Sequence, residues 1–205
     1  MLEKQNWATR VAYFSWNTSN HFLAWWFYYY SDDFISHLAD FHYEWIEALF
    51  SWKNVFIEGA RGTIKTSLIL KYVKYKICIK DFSFWVWQSF EDTSSTRNTT
   101  QIALWLMNKN LSADYGELFS IKWGRDELEK KSVWDFDTKN WVKILASSLW
   151  QKLRGAVSKN SRPELLILDD IDVNDSVRNP EVISKNYEKI TGETIGAMSK
   201  QKNQI

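Results

Sequence analysis

The sequence predicts an α/β fold: a largely parallel central sheet flanked by helices and preceded by an N-terminal helical segment. Three observations predict it. Short apolar runs bounded by turn residues alternate with longer helical patterns. One run, Leu165-Leu166-Ile167-Leu168, ends abruptly in Asp169-Asp170, as buried parallel strands do. Hydrophobic residues make up 45% of the 205-residue chain and charged residues 25%, which reads as a soluble globular chain.

Residues 1–52 read as the helical segment, and residues 53–205 as the α/β domain. Met1 to Asn6 is polar and charged and carries no secretory signal. The most apolar early run, Phe22 to Tyr30, has nine residues, whereas a membrane span needs about 20. It reads as a core or interface helix. Asp32-Asp33 is placed as the start of a helix, with Phe34, His37, Leu38, Phe41, Trp45, Ala48 and Leu49 recurring on one face. Val55-Phe56-Ile57 reads as a short buried strand.

Ser67 to Lys80 then forms a helix, Phe82 to Gln88 a strand, and Thr93 to Asn110 a helix. A polar stretch holding Gly116 and Gly124 follows. Ser132 to Phe136 and Trp141 to Ala146 read as a strand pair turning at residues 137–140. Leu149 to Asn160 is loop-like and basic. Pro180 opens a helix running through Glu181 to Met198. The single cysteine, Cys78, excludes an internal disulfide and reads as a small buried hydrophobe.

The strongest chemical signal is Gly59-Ala60-Arg61-Gly62-Thr63-Ile64-Lys65-Thr66, which approximates G-x-x-x-x-G-K-[ST]. It stands between an expected strand and an expected helix that continues through Ser67. Backbone N–H groups of such a turn form an anion nest, and the helix N-terminus adds about half a positive charge. Lys65 would reach the β- and γ-phosphates of ATP, and the Thr66 hydroxyl would ligate Mg²⁺. Ile64 replaces the second glycine of the pattern. A branched residue resists positive φ, so either the backbone there is not left-handed or the loop is altered.

Asp169 and Asp170 form the second element. A carboxylate at the C-terminal edge of a parallel strand lies where α/β sheets bind ligands. Asp169 would hold Mg²⁺, and Asp170 would orient or deprotonate the attacking water. Phosphate loop first and acidic strand end later is the chain order of a P-loop NTPase of the RecA/ASCE-like class.

Several stretches resemble the large subunit of the terminase of tailed bacteriophages: DFHYEW at 40–45, KNVFIEGARGTIKTS at 53–67, WQSFEDTSS at 87–95 and KLRGAVSKNSRPELLILDDID at 152–172. The resemblance covers most of residues 35–205. It implies a Mg²⁺-dependent ATPase motor for packaging viral double-stranded DNA. Arg61 matches a basic residue acting in cis on the γ-phosphate. Asp169 matches the metal-binding acid, and Asp170 the position of the catalytic glutamate, one methylene shorter, with Asp172 in reserve. Phe41, His42 and Trp45 fall where relatives contact adenine, but their own spacing reads first as a core-facing helix stripe. The implied partners are DNA, the portal protein, the small terminase subunit and further copies in a ring on the portal, in the host cytoplasm, with no membrane. Relatives carry a further strand and a metal-dependent nuclease domain beyond the region matched here, so no DNA cleavage is expected from this chain. Another P-loop translocase or helicase-like ATPase, or a degenerate nucleotide-binding assembly module, are the alternatives.

Net charge is +1, so a DNA contact must be local rather than a bulk field. His21 and His37 have no partners at metal-ligand spacing. The 13 Trp and 7 Gly are skewed, since average usage gives roughly 14 Gly. Trp141 and Trp150 stand where relatives have glycine, and Trp141 sits at an expected tight turn. This suggests a source that decodes UGA as glycine.

Overall fold

The computed structural model describes residues 7–33, 37–51, 53–120, 134–159, 161–171, 179–200 and 205. In chain order the elements are α1 (Trp7–Phe14), α2 (Ser19–Tyr29), α3 (Asp40–Leu49), α4 (Lys65–Ile79), β1 (Phe84–Ser89), α5 (Asp92–Leu106), α6 (Lys109–Tyr115), β2 (Asp135–Asp137), β3 (Lys143–Ser148), β4 (Leu165–Leu168) and α7 (Pro180–Glu188). Two compact units divide the chain: Met1–Asp81 with Trp105–Ser120, and Phe82–Leu104 with Ile121–Ile205.

The first unit is helical, and its core is aromatic. Thr18 caps α2 by accepting from the His21 N–H. The helix then buries Phe22, Trp25, Trp26 and Tyr29, which is where the apolar run expected as a core helix lies. Phe22 and Trp25 each meet Tyr75 of α4 with ring centroids 5.5 Å apart. No helix among the described residues is long and apolar enough to cross a membrane.

Asp114 of α6 ties three helices together. It accepts from Arg10 of α1 at 2.6 Å and from the Tyr29 hydroxyl of α2 at 2.6 Å. Desolvation raises its pKa, but the hydrogen bonds from Arg10 and Tyr29 outweigh it and leave the carboxyl below its ordinary value. Lys71, Lys74 and Lys76 of α4 turn inward too. Lys71 sits 3.9 Å from the Tyr30 ring centroid and 3.7 Å from that of Trp105. Cys78 is buried on the same helix, and desolvation pushes its thiol pKa up.

The second unit is built on a four-stranded sheet of order β2-β3-β1-β4. β1 pairs parallel with β3 and with β4, while β2 is an antiparallel edge on β3. All six residues of β1 are buried, which explains why its sequence shows no polar alternation. Glu164 sets the register of β4: its carboxylate accepts from the Ser83 N–H at 2.7 Å, and its own N–H donates to Phe84 O at 2.8 Å. Phe84, Val86, Leu153, Leu166, Ala197 and Met198 form a buried cluster on this sheet.

The expected α/β architecture with a largely parallel sheet is therefore present, and several elements differ in detail. Val55-Phe56-Ile57 forms no strand, and Phe56 is 88% exposed. An apolar triplet becomes a strand only where a neighbour completes its ladder, and none of the described strands pairs with it. The helix expected from Asp32-Asp33 begins at Asp40 instead, after a single 3₁₀ turn at Ser31–Asp33. Phe34 and Gly124 lie outside the described residues.

The helix expected over 93–110 is two, because the Asn108 side chain accepts from the Asn110 and Leu111 N–H groups and starts α6 anew. The helix expected to reach Met198 gives way after Glu188 to a π turn at Lys189–Thr194 and a 3₁₀ turn at Ile195–Ala197. Thr191 donates to Tyr187 O at 2.8 Å there, a back-bond that loosens regular helix.

At the β2–β3 turn, Trp141 has φ +72° and is 64% exposed, as expected of a position suited to glycine. Trp150 is also exposed but is not among the positive-φ residues, so its backbone does not call for glycine.

Candidate functional site

Two groups of sequence-singled residues are described, one in each unit. In the first unit, residues 59–66 form a turn leading into α4. Thr63 closes it: its N–H and its hydroxyl both donate to Ala60 O, at 3.4 and 2.7 Å. Gly62 has φ +89°, which glycine adopts without strain. Gly59 is required for space. A Cβ there would stand 2.9 Å from Thr63 Oγ1 and 3.0 Å from the Trp45 ring.

Ile64 has φ +53° and ψ +21°, so the position taken by glycine in the pattern is left-handed here despite its branched side chain. Such a conformation costs on the order of 1–3 kcal/mol and persists only where neighbours fix it. Ile64 is also the N-cap of α4 and offers no side-chain cap. The first N–H groups of α4 therefore receive no cap from that residue.

Lys65 folds back over the turn. Its ammonium donates to Gly59 O at 2.5 Å and to Ala60 O at 3.0 Å. An anion entering the nest would offer the ammonium oxygen acceptors in place of these carbonyls. Arg61 is exposed, Thr66 is half-buried, and Ser67 is exposed in the first turn of α4. Of the aromatic trio upstream, Phe41 stays exposed, Trp45 packs on Gly59, and His42 is buried.

In the second unit the acidic residues stand at the carboxyl end of β4. The parallel ladder runs one residue past the strand, because the Asp169 N–H donates to Gln88 O at 3.0 Å. The Phe90 N–H then donates to Asp170 O at 3.1 Å. Asp170 has φ +49°, which aspartate tolerates better than branched residues do, and its side chain is exposed. Asp169 is half-buried, and its Oδ2 accepts from Asn98 Nδ2 of α5 at 3.2 Å. Asp172 lies outside the described residues.

Buried polar groups gather at the same carboxyl ends: Gln88 and Ser89 of β1, and Ser147 and Ser148 of β3. Gln88 donates to Ser148 O at 3.1 Å. This is the edge at which open α/β sheets receive ligands. No group of three or more His, Cys, Asp or Glu side chains suited to a metal ion occurs among the described residues. A Mg²⁺ here would lean on one carboxylate plus phosphate oxygens and water, as Mg²⁺ commonly does.

Sequence reasoning missed Asn98 and the loop-facing role of His42. Nothing in Thr96-Arg97-Asn98 marks the amide that meets Asp169. His42 carries a signal in its place three residues after Ala39, but Asp32-Asp33 offers the more usual helix-starting residues. No protein-family model, curated protein or solved structure matches this chain.

Proposed function

We propose that this chain is a Mg²⁺-dependent ATP-binding and ATP-hydrolysing motor domain of the kind found in the large terminase subunit of tailed bacteriophages. One observation carries the reading: a glycine-bearing turn enters the N-terminus of α4 through a left-handed residue that offers no side-chain cap, with a lysine ammonium across its mouth. That is the apparatus for cradling a polyphosphate. The half-buried Asp169 at a parallel strand end supports a metal-binding role, and Asp170 beside it a role toward the attacking water. Arg61, exposed within the turn, would stabilise charge on the transferring phosphoryl group.

Lys65 neutralises the β- and γ-phosphates. Thr66 and Asp169 hold Mg²⁺. Asp170 acts on water. The partners would be viral double-stranded DNA, the portal, the small terminase subunit and further copies of the chain, in the host cytoplasm. The resemblance in residues 152–172 sets this reading above another P-loop translocase.

A second reading, a nucleotide-binding assembly module without turnover, is favoured by the unpaired 55–57 segment beneath the turn. Steady-state hydrolysis of Mg-ATP by the purified chain, with Lys65→Ala as control, tests the proposal. Turnover abolished by Lys65→Ala supports the motor. Binding of Mg-ATP without turnover supports the assembly module. Absence of both in the folded wild-type chain removes both.

A further inference from the structure

We infer that His42 is a positioning residue that fastens the 59–66 turn to α3, presetting the turn's backbone for a phosphate-bearing ligand. The ligand rests on the nucleotide reading above. The fastening stands on geometry alone.

His42 is the third residue of α3 and is 8% exposed. Its Nδ1 accepts the Ala39 N–H at 2.9 Å. A backbone N–H can only donate, so Nδ1 carries no proton and the ring proton sits on Nε2. Nε2 then donates to Thr63 O at 3.2 Å. The imidazole thus runs from the amino end of the helix to the turn, using both of its nitrogens.

Where the second bond lands matters. Thr63 precedes Ile64, and the Thr63 carbonyl shares its rigid peptide plane with the Ile64 N–H. Holding that carbonyl sets the direction in which the Ile64 N–H points. It also holds the entry into the left-handed φ of +53°. Trp45, one turn further along α3, packs at the other end of the turn against Gly59. The Phe41, His42 and Trp45 rings are in mutual contact, with centroids 4.1 to 5.5 Å apart. One helix therefore grips the turn at residues 59 and 63. A strained backbone held in this way is ordered before the ligand arrives, which lowers the ordering cost of binding.

Three variants of the full chain separate the helix cap from the grip. His42→Gln keeps an acceptor for Ala39 N–H, as at the third position of a capping box, and a donor for Thr63 O. His42→Glu keeps the acceptor only. His42→Phe keeps a ring and neither bond. The first readout needs no nucleotide: the rate at which trypsin cuts after the exposed Arg61 in the ligand-free chain. Cutting is expected to be about tenfold faster in His42→Phe and His42→Glu, and close to wild type in His42→Gln, because local opening follows the lost hydrogen bond.

The second readout is Mg-ADP affinity, expected to be about tenfold weaker in His42→Phe and within about twofold of wild type in His42→Gln. Unchanged cutting after Arg61 in both His42→Phe and His42→Glu would overturn the inference. So would equal weakening of Mg-ADP by His42→Gln and His42→Phe. If His42→Phe misfolds, His42→Glu alone decides the cutting test. A wild-type chain that binds no Mg-ADP yet shows the expected cutting pattern would refute the nucleotide reading and leave the grip standing.

Discussion

The lysine turn at 59–66 and the acidic end at 165–170 reach their geometry by opposite routes. The acidic end inherits its place from a ladder. β4 pairs with β1 along its whole length, and backbone bonds at Gln88 and Phe90 carry that pairing through Asp169 and Asp170. The turn has no such ladder beneath it, since Val55-Phe56-Ile57 is unpaired in the structure. Individual contacts hold it instead: Thr63 on Ala60, Lys65 on Gly59 and Ala60, His42 on Thr63, and Trp45 on Gly59. A ladder spreads its constraint over many backbone groups. A turn held by four side chains is vulnerable at each of them.

The largest stability effect is expected in the helical unit that bears the turn. Asp114→Ala leaves Arg10 and Tyr29 without their acceptor and should destabilise the chain by about 3 kcal/mol in denaturant melts. The sign with pH follows from the lowered carboxyl pKa. A depressed folded-state pKa adds stability that is fully present above the unfolded value. It is lost as pH falls through the folded value. The gap between wild type and Asp114→Asn should therefore narrow below about pH 4. A gap that stays constant down to pH 2 would contradict the assigned pairing.

The next effect compares the two regions directly, since each contains a left-handed non-glycine residue. Ile64→Gly releases the strain of a branched side chain and should stabilise the chain by about 1 kcal/mol, after the entropy that glycine adds to the unfolded state. Trp141→Gly releases similar strain but loses the Lys159 ammonium 3.7 Å from its ring, a contact of about 0.5–1 kcal/mol. A net gain of about 0.5 kcal/mol is expected. If the source reads UGA as glycine, codon 141 is UGA; a UGG codon there sinks that idea. Asp170→Gly should be the smallest, within about 0.5 kcal/mol of wild type, because aspartate tolerates the left-handed region. Thermal melts that rank Asp170→Gly above Ile64→Gly would invert the comparison.

The contrast also explains what could be read from the sequence. β1 and β4 are legible because a buried parallel strand needs a continuous apolar run, and Phe84 to Trp87 and Leu165–Leu168 supply one. Val55-Phe56-Ile57 has the same composition and fails, since pairing depends on a neighbour that the run itself does not encode. The α3 start was misplaced because Asp32-Asp33 carries the usual capping residues, whereas Ala39 has no side-chain acceptor and relies on His42 reaching back to its N–H. The Lys65 turn is legible from its glycine and lysine pattern set between an expected strand and an expected helix. Its left-handed Ile64 stays open in the sequence, because a branched residue argues against the φ of +53° found there. Asn98 was invisible: only the fold brings its amide, 71 residues away in sequence, to Asp169.

The central claim is that Lys65 serves the phosphates of a nucleotide and Asp169 its magnesium. Titrating ATP into the wild-type, Lys65→Ala and Asp169→Ala chains, each with and without Mg²⁺, tests it most directly. The account predicts that Lys65→Ala loses affinity in both conditions. It predicts that Asp169→Ala retains the Mg²⁺-free affinity and loses only the increment that Mg²⁺ adds. Wild-type affinity in both variants, or a wild-type chain indifferent to Mg²⁺, would contradict it.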